Sequence, residues 1–387
     1  MKKVKYALVQ GGGGFKGTFQ LGALNFLNDH WKQITGLDTP MRFDLNTGVS
    51  VGALNGIMVA MNKLPELNNL WLNQVANNGV SEIYTSEFLE TDNVSEKLKF
   101  KVDLKALLKR LLPRVEFKLG FFEKMGLIFS KKKRKNIFNS ITQGLESELK
   151  LSVGKIDALA DNMPLRRKME KLIDRTLING TFKCGFVSLN SGKYHSVAHT
   201  DFVSNHDLVN GIIASSSIPV VWKPVESIKF LNDNELIESK YNVDGGLMNM
   251  SPLGDAIRMI NQDPEDCEWK IIVINCHSGV PTEIDASQKS IFGLASRAIY
   301  ELTLGEIFNN DIDHFLEMNH LVKQAKYWNN EIVLLSRLNN IVKRFDAVII
   351  NPDPSFDIGN PLVSTKRLIQ SRYDHGYAIA ASKKYFE

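Results

Sequence analysis

Apolar and polar positions along this chain follow two rhythms, and the changes of rhythm mark its elements. A short apolar run, Tyr6 to Val9 within residues 5–10, stops at a cluster of glycines and predicts a buried strand. Phe19, Leu21, Ala23, Leu24, Phe26 and Leu27 then recur at helical spacing and predict a helix over 18–31. A short strand is expected over 41–45, an apolar, glycine-interrupted helix over 53–63, and a polar helix and loop over 64–90 packed through Trp71 and Leu72. Beyond residue 180, two runs at 184–188 and 193–198 flank the turn Asn190-Ser191-Gly192 and predict paired strands. A short helix at 208–214, a strand ending at Asp244, a helix from 252 to 260 and a buried strand at 269–275 follow. Residues 288–330 and 331–343 read as mostly helical, 346–350 as a last strand, and 362–386 as a closing helix. Strands alternating with helices predict a three-layer α/β/α arrangement.

Candidate chemistry sits where strand turns to helix. Gly48, Ser50 and Gly52 spell G-x-S-x-G between the strand and helix predicted on either side. A serine there occupies a tight, strained turn that lifts its hydroxyl clear of the backbone, and the following helix brings free N–H groups beside it. In its absence of context the pattern is an ordinary glycine-rich turn.

Gly11-Gly12-Gly13-Gly14-Phe15-Lys16-Gly17 forms an earlier strand–glycine–helix junction, the layout of an anion-binding turn. Gly12, Gly14 and Gly17 match the dinucleotide fingerprint, but no acid ends the next strand at the expected distance. A phosphate-binding P-loop requires G-K-[ST], whereas here Lys16 precedes Gly17. The third reading is an oxyanion hole built from the N–H groups of Gly12, Gly13 and Gly14. It alone also accounts for the serine turn in the next unit. Asp244-Gly245-Gly246, at the end of a predicted strand, is the last such stretch; by itself it is a turn signal.

Taken together, Gly12-Gly13-Gly14-Phe15-Lys16-Gly17, Gly48-Val49-Ser50-Val51-Gly52 and Asp244-Gly245-Gly246 resemble the three ordered motifs of the patatin-like phospholipases. The resemblance implies a patatin-like α/β/α fold with a central, mostly parallel sheet and helical insertions. It implies a lipid acyl hydrolase in which Ser50 attacks the ester and Asp244 acts as base without histidine. Gly12, Gly13 and Gly14 would hold the oxyanion, with Lys16, Gly17, Gly48, Gly52, Gly245 and Gly246 supporting the motifs. Residues 214–224 resemble a family segment beside the site and are expected to shape the pocket. A full triad with His277, which follows a strand, is the rival mechanism. No cofactor or metal is implied, and the remaining histidines lack metal-ligand spacing.

Composition adds one further feature. Hydrophobic residues make up 43% and charged residues 23%, ordinary for a globular protein with a core. Three separated cysteines, Cys184, Cys267 and Cys276, suit a reducing compartment, and no apolar stretch approaches a membrane span. The expected location is cytoplasmic. Net charge is only +4, yet from Lys97 to Lys135 there are 14 Lys and Arg against 3 Asp and Glu. Interleaved Phe117, Phe121, Phe122 and Phe129 make this segment a candidate for peripheral contact with an anionic membrane, or a helical insertion with a solvated basic loop. No nucleic-acid fold accompanies it. The expected organisation is one domain over 1–387, with a core of 1–90, 181–280 and 345–387. Residues 91–180 form a basic helical insertion, a candidate lid, and 281–344 a helical excursion. Two other functions fit the same motifs: an esterase or thioesterase for soluble acyl groups, and a catalytically silent regulatory module.

Overall fold

The computed structural model describes residues 2–92, 94–100, 158–281, 297–328, 343–356 and 359–386. At its centre strand β1 (Lys3–Gln10) enters the core at Tyr6. Tyr6 and Leu8 join one hydrophobic cluster while Ala7 and Val9 join another, as the two-residue period of a strand buried on both faces requires. The first cluster packs helices α1 (Gly17–Asp29) and α3 (Val51–Ala60), the latter separated from α1 by the short α2 (Trp31–Thr35). The second packs later helices on the opposite face, so the sheet lies between two helical layers.

The sheet is mixed, with eight strands. β1 pairs in parallel with β2 (Leu45–Val49) on one side and with β9 (Cys267–Ile274) on the other; β10 (Asp346–Ile350) adds in parallel to β9. On the far side of β2 lies β5 (Thr181–Ser188), also parallel. From there the direction reverses: β6 (Tyr194–Ala198) and β8 (Glu235–Asp244) both run antiparallel to β5, and β7 (Val225–Asn232) runs antiparallel to β8.

The register on β5 positions the site. Lys183, Cys184 and Gly185 pair with both β2 and β6; Phe186 and Val187 pair with both β6 and β8. β2 and β8 therefore share the edge of β5 opposite β6. β2 climbs that edge until Val49 faces Gly185, and β8 descends it until Asp244 faces Phe186. Two strands far apart in sequence thus end against each other.

Several elements differ from the expectations. The strand predicted at 41–45 lies at Leu45–Val49. Met41 and Phe43 are buried as loop residues, and the Asp44 carboxylate accepts the Tyr6 backbone N–H at 2.9 Å. Alternating burial without ladder pairing imitated a strand. The hairpin β7–β8 was unexpected, although Asp233 and Asn234 turn it with positive φ values of 50° and 68°. Residues 89–100, where the helical insertion was expected to begin, form the antiparallel pair β3 (Leu89–Asp92) and β4 (Lys97–Phe100). The hydrophobic–basic segment that follows, within 101–157, lies outside the described residues, as does most of the helix expected over 331–343. After the short α4 (Leu64–Asn68), the described chain beyond residue 157 adds helices α5 (Met163–Leu172), α6 (Asn205–Ser215), α7 (Leu253–Gln262), α8 (Leu304–Trp328) and α9 (Lys366–Ser382). Among the described residues no helix is long and apolar enough to cross a membrane.

Candidate active site

Ser50 lies between β2 and α3 with φ 56° and ψ −131°. Non-glycine residues avoid this region at a cost of order ~1–3 kcal/mol, which surrounding structure must over-determine. The means are visible. The Ser50 backbone N–H donates to Ser215 Oγ at 2.9 Å, and its carbonyl accepts from Ala53 N–H. Gly52 permits the close approach: a Cβ there would stand 2.2 Å from the Gln10 carbonyl oxygen. Gly48 packs against the backbone of Gly52, and Gly17 against the Val51 side chain. Ser50 is buried, 5% exposed, at the amino end of α3.

Asp244 arrives from the opposite direction. Its backbone N–H donates to the Ser217 carbonyl at 2.9 Å, and its Oδ1 accepts from Gly246 N–H at 2.7 Å. Gly245 is wedged beside β5, where a Cβ would stand 2.4 Å from the Gly185 carbonyl oxygen. Burial raises the Asp244 carboxyl from 3.8 to about 7; the nearby Ser50 side chain and the Gly246 N–H pull it part of the way back. The hydroxyl of the elbow serine is thus near enough to bear on the titration of this carboxyl, although no Ser50 Oγ–Asp244 hydrogen bond stands among those of the described residues. Downstream, Asn249 Nδ2 anchors the turn on Tyr194 Oη at 3.1 Å and Asp255 Oδ2 at 3.3 Å.

The glycine loop lies beside Ser50, since a Cβ on Gly12 would approach the Ser50 Cβ to 3.1 Å. Its amides do not all point one way. Gly12 N–H, expected to face a developing oxyanion, donates instead to the Met250 carbonyl at 3.0 Å. A donor committed to a buried carbonyl is withdrawn from that role. Gly13 and Gly14 N–H have no acceptor among the described residues. Gly14 has φ 56°, and Lys16 N–H closes the loop on the Gly13 carbonyl at 3.1 Å.

A buried polar network ties the loop to α3. Gln20 Nε2 donates to the Gly11 carbonyl at 2.7 Å, Asn55 Nδ2 to Gln20 Oε1 at 2.9 Å, and Trp71 Nε1 to Asn55 Oδ1 at 3.0 Å. Ser215, Ser217 and Met250, which hold the backbone of Ser50, Asp244 and Gly12, carried no assigned role in the sequence. A signal existed only for the serines, inside the motif-like run Ala214-Ser215-Ser216-Ser217.

His277 is the candidate third member of a triad. Burial, followed by the nearby Lys16 charge, lowers its imidazole to about 3, so the ring is neutral. Its ring packs on Phe308, and neither Ser50 nor Asp244 is among its described partners.

Ser50 also forms part of the wall of a narrow pocket of about 30 Å³. Leu54, Met58, Trp71, Leu165, Met169 and Trp222 line it, almost wholly through apolar side chains. An apolar pocket at a nucleophile-type serine has the chemistry a hydrocarbon chain needs, and admits one only when its side chains part.

A serine elbow, a buried carboxyl and an apolar pocket on a mixed α/β sheet define the class: a hydrolase-type α/β fold. The family model described as "Patatin-like phospholipase" matches residues 8–257, a stretch holding all three motifs, and the chain belongs to that family. Membership makes it a relative of lipid acyl hydrolases, with acyl esters as the substrate class. The crystal structure of VipD from Legionella pneumophila is similar at 13% identity and a TM-score of 0.31, over 98% of this chain and 67% of VipD. No curated protein sequence matches it.

Proposed function

We propose that the protein is a phospholipase A-type hydrolase using a Ser50–Asp244 dyad. The observation that carries the reading is the placement of Ser50 beside a buried, near-neutral carboxyl and in the wall of an apolar pocket.

In the first step Ser50 Oγ attacks the ester carbonyl as its proton passes to Asp244. A base with pKa near the working pH combines a large ionised fraction with real proton affinity. An ordinary aspartate near ~3.9 lacks the second. The tetrahedral intermediate collapses, the ester C–O bond breaks, and the lysolipid oxygen leaves with the proton from Asp244. The acyl-enzyme is then attacked by water, whose proton Asp244 takes, and the fatty acid and the Ser50 hydroxyl are released. The unengaged amides of Gly13 and Gly14 are suited to hold the oxyanion in both steps, each such donor being typically worth ~2.7–4 kcal/mol of barrier. Lys16 braces that loop, its N–H closing on the Gly13 carbonyl at 3.1 Å. The cavity would receive the acyl chain and keep water from its length.

The test is mass spectrometry of fatty acids released from phosphatidylcholine and phosphatidylglycerol vesicles by the wild type, Ser50→Ala and Asp244→Asn. Release by the wild type and loss in both variants is expected. Equal release by all three would refute the dyad. Rates no higher on vesicles than on monomeric esters would turn the reading to a soluble esterase.

A further inference from the structure

The molecule has a second cavity of opposite character. It is larger, about 910 Å³ and open to solvent, and lies between residues 76–86, the β3–β4 hairpin and the amino end of α9. Asn77, Asn78, Ser81, Thr85 and Ser86 give it a polar lining that no acyl chain would favour. Ser364 reaches its wall 2% exposed, with an Oγ that has no hydrogen-bond partner among the described residues. Buried hydroxyls are ordinarily satisfied, so an orphan in a residue of the cavity wall marks a place for a polar ligand atom.

Beside Ser364 the 17-residue helix α9 begins, and its end already holds an anion. Thr365 caps the helix, its Oγ1 accepting from Leu368 N–H at 3.2 Å, and also donates to Glu96 Oε1 at 2.7 Å. Arg367 Nε donates to the same oxygen at 3.0 Å, and its other arm grips Glu96 Oε2. The Lys366 and Arg367 backbone amides occupy the first turn, whose N–H groups a helix leaves unpaired. Helix end, hydroxyl and two-pronged guanidinium together form an anion cradle. Its occupant, from the β3–β4 turn, is held with φ 52°, a left-handed conformation a glutamate adopts only under constraint. Glu90 is the other acid in the cavity wall, and Lys366 the other base.

We propose that this cavity binds a small polar molecule bearing a phosphate group, which displaces the Glu96 carboxylate from the cradle of Thr365, Lys366 and Arg367. A phosphate carries more charge and more acceptor oxygens than a carboxylate, so it competes well at a helix amino terminus facing a guanidinium. The cavity then accommodates the rest of the molecule, with the Ser364 hydroxyl as one of its partners.

This cradle is joined to the serine site through one short segment. The Pro361 carbonyl accepts Phe15 N–H at 2.8 Å and packs on Gly14, in the glycine loop; Ser364 to Arg367 follow directly in the chain. Tyr84, in the polar cavity's wall, donates to the Leu362 carbonyl at 3.1 Å. Its ring stands 6.2 Å from Phe15 and 5.9 Å from Trp222, both of which line the apolar pocket. An occupant that shifts Pro361 to Arg367 therefore acts on Gly14 and on the pocket wall. This coupling, unlike the binding, rests on the proposed hydrolase mechanism.

Inorganic pyrophosphate is the probe, titrated into the full chain by calorimetry with circular dichroism to check folding. Saturable binding is expected, tightened about tenfold in Glu96→Gln, which removes the resident competitor, and weakened about tenfold in Arg367→Gln. Equal affinity in all three, or no saturable binding even in Glu96→Gln, overturns the proposal. Binding is expected to persist in Ser50→Ala, so its success or failure is independent of the hydrolase reading. Sedimentation with phosphatidic acid vesicles, against phosphatidylcholine vesicles, distinguishes the sources. Arg367-dependent pelleting identifies a lipid head-group, and its absence alongside pyrophosphate binding identifies a soluble ligand.

Discussion

Replacing Asp244 by Asn is predicted to abolish hydrolysis and to stabilise the protein in a pH-dependent way. The carboxyl titrates at 3.8 in an ordinary setting and at about 7 in the fold, because burial penalises its ionised form. The folded state therefore holds this proton more tightly than the unfolded chain. Stability falls as pH rises from about 4 to about 7 and is level above that, where both states are ionised. Moving a carboxyl from 3.8 to about 7 costs about 4 kcal/mol at about 1.4 kcal/mol per pH unit. Asn carries no charge and offers the same Oδ1 to Gly246 N–H, whose bond measures 2.7 Å. Its advantage over Asp is thus near zero at pH 4 and grows to a limit of about 4 kcal/mol at pH 8, less whatever the wild type recovers by relaxation. Urea unfolding of wild type and Asp244→Asn at pH 4.5 and pH 8 measures the difference, alongside fatty-acid release at pH 8. An advantage that is the same at both pH values, or absent at pH 8, refutes the buried-charge argument. An Asp244→Asn protein that still hydrolyses ester refutes the proposed base.

Three further outcomes follow from the same geometry. The wild-type rate is expected to rise with pH through a midpoint of about 7 as Asp244 ionises, a limb that stopped-flow measurement of acylation would resolve; a rate flat from pH 5 to 9 would count against it. His277→Ala is expected to keep kcat within about threefold of wild type, since the imidazole is neutral and has neither Ser50 nor Asp244 among its described partners; a loss as deep as that of Ser50→Ala in the same vesicle assay would restore the triad. Burying each methylene contributes about 0.8 kcal/mol, so kcat/KM on a series of monomeric esters is expected to rise about fourfold per carbon until the pocket is full. Met169→Trp is expected to bring that plateau to shorter chains, and an unchanged profile would place the acyl chain elsewhere.

The residues at the centre of the site were legible because their constraints are local. An elbow serine needs its neighbours small, and Gly48 and Gly52 write that need into five consecutive positions. Asp244 was legible only as the third of three ordered motifs, since Asp-Gly-Gly by itself signals a turn; its Gly245 fits against Gly185. What joins them was not, because the meeting of β2 and β8 depends on register along β5, more than 130 positions from Ser50. The diversion of Gly12 N–H to Met250 is likewise a contact across the fold with no local mark. β2 was displaced by four residues because buried loop residues Met41 and Phe43 kept a strand's alternation while Gly48 disguised a strand as a turn. The β7–β8 hairpin left a readable signal in Asp233-Asn234 between its alternating runs.

The abutting strands also explain how a serine could be activated without imidazole. Histidine suits this task because its pKa of about 6.5 lies near working pH. Burial brings Asp244 to about 7, so the environment gives a carboxylate nearly the proton affinity of an imidazole. That adjustment needs a restrained hydrogen-bond supply. A carboxylate taking two or three backbone amides is driven far below its ordinary value. Here the described backbone gives Asp244 one side-chain bond, from Gly246, while its own N–H is spent on the Ser217 carbonyl. The end-to-end meeting of β2 and β8 supplies both conditions at once: it buries the carboxyl and leaves the Ser50 hydroxyl as its neighbour. On the proposed mechanism, strand register does the work that a third residue does in a triad.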